Sequence, residues 1–151
     1  MEWQYCSEDW QSVSLHDNFI SSMLFEDDVT IEFEDGFDVC AENPMNDTGR
    51  HKYTGRAAVL LKNGRFISAK YSSYTEKLSD GSENVVSEEK MSLGELRRLD
   101  LEVFDFDFEE NVVTIWCCVW HNSKSFCEFK LSCDKLLFCW NELLGDAWFQ
   151  K

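Results

Sequence analysis

The stretch TIWCCVWHNSKSFCEFKLSCDKLLFCW, Thr114–Trp140, decides the fold. It holds five of the seven cysteines, His121 and three of the six tryptophans, so it reads either as a metal or redox site or as the inside of a β-sheet. Its period separates the two. Val113, Ile115, Cys117 and Val119 recur at every second position, which places them on one face of a strand. "HNSKS" turns the chain into "FCEFKLSC", and "CDK" leads to "LLFCWNE". A helical stripe of Leu136, Trp140, Leu143 and Ala147, ended by Gly145, competes at the end; strand through Trp140 is the preferred reading.

Strand pairing argues against a metal centre. Zinc ligands must converge at about 2.0–2.3 Å from the ion. Adjacent Cys117 and Cys118 point to opposite faces of a strand. Cys127 and Cys133 lie about 20 Å apart along a strand rising ~3.3 Å per residue. Only a cross-strand set such as Cys117, Cys127 and His121 could assemble, and no spacing demands it. Free cysteine packs as a small buried hydrophobe, so core packing is the expectation and no metal or other cofactor is assigned.

Upstream, "LEVFDFDFEENVV" predicts a hairpin. Phe104, Phe106 and Phe108 alternate with Asp105 and Asp107, and Glu109–Asn111 turn. "VTIEF" puts Val29, Ile31 and Phe33 on one face. With a strand over Phe19–Phe25 before it and "FDVC" after it, the first third reads as a three-stranded meander. "AAVLLKNGRFISAKY" carries Asn63-Gly64 between two β-prone runs, which predicts a type I′ hairpin turn. "LSDGSEN" (78–84) is a second loop. Ser92 and Glu95 form a capping-box pattern, with Leu93, Leu96 and Leu99 at helical spacing. The sum is a mainly β chain, with α+β as the alternative. About eight antiparallel strands form a curved sheet, sandwich or partly closed barrel, with one short helix near 92–99. No linker or repeat divides residues 1–151, so a single domain is expected.

Charge is laid out in blocks. Residues 1–49 contain thirteen Asp/Glu and no Lys or Arg, whereas residues 50–77 carry a net of +6. Either the basic middle neutralises the acidic start, or the acidic surface awaits a basic protein partner. Arg50, Lys52, Arg56, Lys62, Arg65 and Lys70 interleave with Tyr53, Phe66, Tyr71 and Tyr74, a pattern able to bind single-stranded nucleic acid. The net of −21 on the rest of the chain repels a polyanion and opposes that reading. No run is long and apolar enough to span a bilayer. "MEWQYCSEDW" lacks the basic and apolar regions of a secretory signal, so a cytoplasmic protein with reduced thiols is expected.

Among candidate catalytic groups, His16-Asp17 can serve a metallohydrolase, but such enzymes set the pair in a helical domain with further His and Asp ligands. Capping the entry to the first strand through local hydrogen bonds is the preferred reading. Asp105 and Asp107 should stand roughly 7 Å apart on one strand face, within the range of an inverting glycosidase. Among 29 acidic residues such a pair arises by coincidence, and a solvated face is the simpler reading. Asp47-Thr48-Gly49 matches the aspartic-protease tripeptide but sits in a hydrophilic loop rather than after an apolar strand.

"W…VSLHDNFI" followed by "LFEDDVTIEFEDGF", with the closing "WNELLGDAW" (Trp140–Trp148), resembles small uncharacterised bacterial proteins. These open on a His-Asp motif and an acidic strand pair, and some are grouped with immunity proteins of polymorphic toxin systems. The resemblance implies a cytosolic, non-enzymatic protein that binds another protein, and it carries no catalytic residue.

Three functions follow as expectations. The first is a non-enzymatic protein-binding module, immunity-like, whose acidic residues Glu26, Asp27, Asp28, Glu34, Asp35 and Asp38 meet a basic partner. The second is a carrier of a small apolar ligand in a β-barrel cavity lined by Trp116, Trp120, Phe138 and Trp140. The third is a hydrolase using His16 and Asp17, or Asp105 and Asp107. The sequence sets no oligomeric state.

Overall fold

Period-two alternation builds most of the chain into strands. The structure, a computed structural model, describes residues 2–74, 80–81, 85–120 and 125–151. In chain order the strands are β1 (Tyr5–Ser7), β2 (Val13–Ser14), β3 (Asn18–Ile20), β4 (Ser22–Phe25), β5 (Val29–Phe33), β6 (Asp38–Val39), β7 (Lys52–Thr54) and β8 (Ala57–Lys62). They continue with β9 (Arg65–Tyr74) and β10 (Val85–Met91). After the helix α1 (Leu93–Leu96) come β11 (Leu101–Glu109), β12 (Val112–Val119), β13 (Ser125–Ser132), β14 (Lys135–Trp140) and β15 (Leu143–Asp146). The loop expected at 78–84 and the turn at 121–125 fall largely outside the described residues.

The strands form three antiparallel sheets, ordered β1-β14-β8-β5-β4, β10-β9-β13-β12-β11-β3 and β15-β7-β6-β2. The inner faces of the two larger sheets meet. Phe106 of the six-stranded sheet and Phe138 of the five-stranded one lie 5.6 Å apart, within one core that also takes Ile31, Phe33, Ile115 and Phe129. Among the described residues the fold is therefore mainly β, with one short α-helix and no closed barrel. The helix starts as its sequence predicts: Ser92 and Glu95 complete a reciprocal capping box, and Leu96 is fully buried beneath it. The strand reading also holds through Trp140, and Leu143–Asp146 is strand rather than helix.

Four local expectations are corrected. Asn63-Gly64 is not a hairpin turn, because β8 pairs with β14 and β5 whereas β9 pairs with β10 and β13. The dipeptide carries the chain from one sheet to the other. Asn63 alone has a positive φ, 52°, where a type I′ turn needs two. Such a turn forms instead at Glu110 and Asn111, with φ of 50° and 62° between the paired residues Glu109 and Val112.

The meander of the first third is also broken. Phe19–Phe25 splits at Ser21, so that β3 joins β11 while β4 joins β5. Strand β6 then leaves for the third sheet, between β2 and β7. Finally, a register shift between Val103 and Asp105 marks a bulge in β11. The bulge turns Phe104 outward to Phe126, 6.1 Å away, while Phe106 stays against the core.

Candidate functional site

The bulge explains His16 and Asp17. Bulged strands leave carbonyl groups out of the ladder, and these need donors. His16 Nδ1 donates to Phe104 O at 2.7 Å, and Asp17 N donates to Val103 O at 2.8 Å. Asp17 takes φ 65°, a left-handed conformation that Asp tolerates better than most residues. The pair braces the entry to β3 against β11. The two exposed side chains also meet each other, with His16 Nε2 3.3 Å from Asp17 Oδ1, and the Trp148 ring lies 5.9 Å from the imidazole.

The acidic candidates separate by environment. Glu26 and Asp27 sit exposed in the β4–β5 turn, and Glu34 and Asp35 sit exposed just after β5. None of these four carboxylates forms an ion pair among the described residues. Asp28 differs: it accepts from Lys62 Nζ at 3.3 Å and from the Asn63 backbone N–H at 2.9 Å. The backbone bond, and then Lys62, hold its carboxyl below the usual range. Asp38 does not belong to the surface at all. It is 4% exposed, with Asn18 Nδ2 donating to it at 3.3 Å, because both residues of the two-residue strand β6 are covered. Burial, with Asp17 nearby, pushes its carboxyl pKa up.

The basic middle segment does neutralise part of this charge. Arg56 grips Glu32 at 2.9 Å and Lys62 reaches Asp28. Other members serve elsewhere: Arg50 and Lys52 hold Asp146, and Lys70 holds Glu88 and Glu128. The unpaired acids therefore flank β4, one of the two edge strands of the five-stranded sheet. Five residues of β5 at ~3.3 Å each separate the two acidic turns by roughly 17 Å. Between them β4 pairs on one side only and presents Leu24, 48% exposed.

The four aromatics assigned to a cavity do not converge. Phe138 and Trp140 are fully buried between the sheets. Trp120 stands 50% exposed against Phe19, with ring centroids 5.2 Å apart. Trp116 faces outward on the six-stranded sheet. There it lines a shallow hollow of about 360 Å³ with Phe104, Phe126, Lys70, Glu88 and Glu128. Asp105 and Asp107 lie on this outer face too, opposite Trp116 and Thr114. Asp105 Oδ1 accepts the backbone N–H of Phe106.

Among the cysteines, Cys117 is buried and Cys118 only half-buried, as opposite faces require. His121 lies outside the described residues, so the set Cys117, Cys127 and His121 has no described geometry. A different trio converges without any short-spacing motif. Donor atoms of Cys40, Glu42 and His51 lie within 4.8 Å of one another. Its histidine is committed elsewhere, because His51 Nδ1 accepts the Ala41 N–H at 3.0 Å. The neutral ring then carries its proton on Nε2, leaving that atom no lone pair for a metal. The Phe149 ring lies 5.0 Å from the imidazole, and Gln150 Oε1 accepts the His51 backbone N–H. His51 thus docks the C-terminal segment.

No helix among the described residues is long and apolar enough to cross a membrane. No family model, curated protein or solved structure matches the chain.

Proposed function

We propose that the chain is a non-enzymatic, immunity-like module that binds a basic protein through the acidic turns on either side of β4. One observation carries this reading: Glu26, Asp27, Glu34 and Asp35 stay exposed and unpaired, although nearby Asp28 and Glu32 are neutralised. Unpaired like charges flanking an edge strand raise local potential and speed encounter with a cationic surface. The edge strand offers main-chain groups to an added strand, and Leu24 an apolar contact between the charges. Asp28 contributes less because Lys62 already covers it, and Asp38 contributes nothing because it is buried. A cytoplasmic location fits this role.

The test uses the tagged protein as bait in lysate of its host at low ionic strength. The captured partner should be basic, and its association rate should fall steeply with salt. Replacing Glu26, Asp27, Glu34 and Asp35 by their amides should slow association by about tenfold or more. Equal rates for the amide variant and the parent at every salt concentration would overturn the proposal. A small apolar ligand on the hollow of Phe104, Trp116 and Phe126 is the second reading, supported by those three outward aromatics. Native mass spectrometry showing only apo protein would count against it.

A further inference from the structure

Two cysteine pairs stand directly opposite each other across antiparallel strands: Cys6 with Cys139 on β1 and β14, and Cys117 with Cys127 on β12 and β13. Opposite residues in such a pair share a face, with Cα atoms roughly 4.5–5.5 Å apart, inside the span of a disulfide. Access distinguishes the pairs. Cys117 and Cys127 belong to the core between the sheets and are almost wholly covered. Cys6 is half-buried on the edge strand β1, and its row continues through Cys139 and Ala58 to Glu32. That row lies on the outer face, because the alternate row of Phe138, Val59 and Ile31 is the one in the core.

We propose that Cys6 and Cys139 form an oxidation-controlled modification site that closes to a disulfide when a peroxide reaches Cys6. The first step oxidises Cys6: its sulfur takes one peroxide oxygen to become the sulfenic acid, and water leaves. Cys139 then attacks the Cys6 sulfur. The S–S bond forms as the S–O bond breaks, and the Cys139 proton departs with the hydroxyl as a second water. The peroxide is the oxidant throughout, reduced to two waters per disulfide.

Other features fit. The rings of Tyr5 and Trp140 stack with centroids 5.9 Å apart, which holds β1 in the register that keeps Cys6 opposite Cys139. Cys139 is fully buried whereas Cys6 is half-buried, so the oxidant reaches Cys6 first and Cys139 follows. Cys40 and Cys118, the other half-buried cysteines, have pKa values raised by burial and by neighbouring carboxylates, which slows their oxidation. The three-residue strand β1 pairs on one side only, so the bond would fasten the least anchored strand of its sheet.

The test treats the whole purified protein with a few equivalents of hydrogen peroxide, then blocks free thiols, unfolds and digests it. The expected product is 2 Da lighter and yields one linked peptide pair containing Cys6 and Cys139, with Cys117 and Cys127 recovered as free thiols. Its melting temperature should rise by roughly 5–15 °C and return on reduction. Cys6→Ser, a change on a half-exposed side chain, should fold and lose both the linkage and the shift. Recovery of Cys6 and Cys139 as free thiols, Cys6 stopping at sulfinic acid, or a disulfide joining two chains through Cys6 would each overturn the proposal.

Discussion

Arg50 holds Asp146 with two parallel hydrogen bonds, Nε to Oδ1 at 3.0 Å and Nη2 to Oδ2 at 2.8 Å. Lys52 adds a third contact at 2.9 Å from the neighbouring strand position. The clamp fastens β15 to β7, and with it the segment that packs Phe149 against His51.

Asp146→Asn should therefore loosen the C-terminal strand, by a small amount because the pair faces solvent. Arg50 first, then Lys52, holds the Asp146 carboxyl well below the usual carboxylate range. A lowered folded-state pKa gives stability that is fully present above the unfolded value of about 3.9. That stability is lost as pH falls through the lower folded value. The melting-temperature gap between parent and Asp146→Asn should be constant from about pH 5 to 8 and close in acid. A gap that widens below pH 4 would refute this. Amide exchange at Leu143–Asp146 should quicken in the variant.

Asp38 has the opposite sign. Burial and Asp17 raise its pKa, so its charged form costs stability at neutral pH, and that cost vanishes below the unfolded value of about 3.9. Asp38→Asn keeps an acceptor for Asn18 without the charge. It should raise the melting temperature at pH 7, with no gain remaining below about pH 4. A lower melting temperature at pH 7 would show that the carboxylate does more than accept from Asn18.

Two glycines should respond differently to alanine. At Gly64 a Cβ would lie 2.6 Å from Val29 Cγ2, and Val29 is fully buried with nowhere to move. Gly64→Ala should cost about 1–3 kcal/mol by overpacking. At Gly145 the Cβ would lie 2.7 Å from the Tyr53 ring, which is exposed and free to swing away. Gly145→Ala should change stability by no more than about 0.5 kcal/mol. Paired denaturant titrations measure both, and equal losses would contradict the packing argument.

Asn63-Gly64 also shows where the sequence stopped being legible. Alternation revealed the strands because each has one covered and one wet face, as in β13, where every second residue is buried. It could not reveal which strands pair. β14 joins β1 and β8, and β13 joins β9, partners chosen by packing between distant segments. A turn dipeptide therefore became a crossover between sheets. The exposed acids were legible from charge alone. Asp38 was not, because the two-residue strand β6 is too short to show a wet face. Cys6 opposite Cys139, and Cys40 beside His51, come together only once the topology is set.

Phe138 and Trp120 give the sharpest mutational contrast, because the sequence treated them as equals. Phe138 touches Phe37 and Phe106 and is fully buried where the two sheets meet, so truncation opens a cavity that flanking strands cannot refill. Phe138→Ala should cost about 3–5 kcal/mol. Trp120 has half its surface in water and one aromatic neighbour, Phe19, which is itself exposed. Trp120→Ala should cost about 1 kcal/mol or less, the scale of a single aromatic pair. Urea titrations of the two variants measure the difference. Similar losses at both positions would mean that Trp120 lies under cover and would refute the contrast.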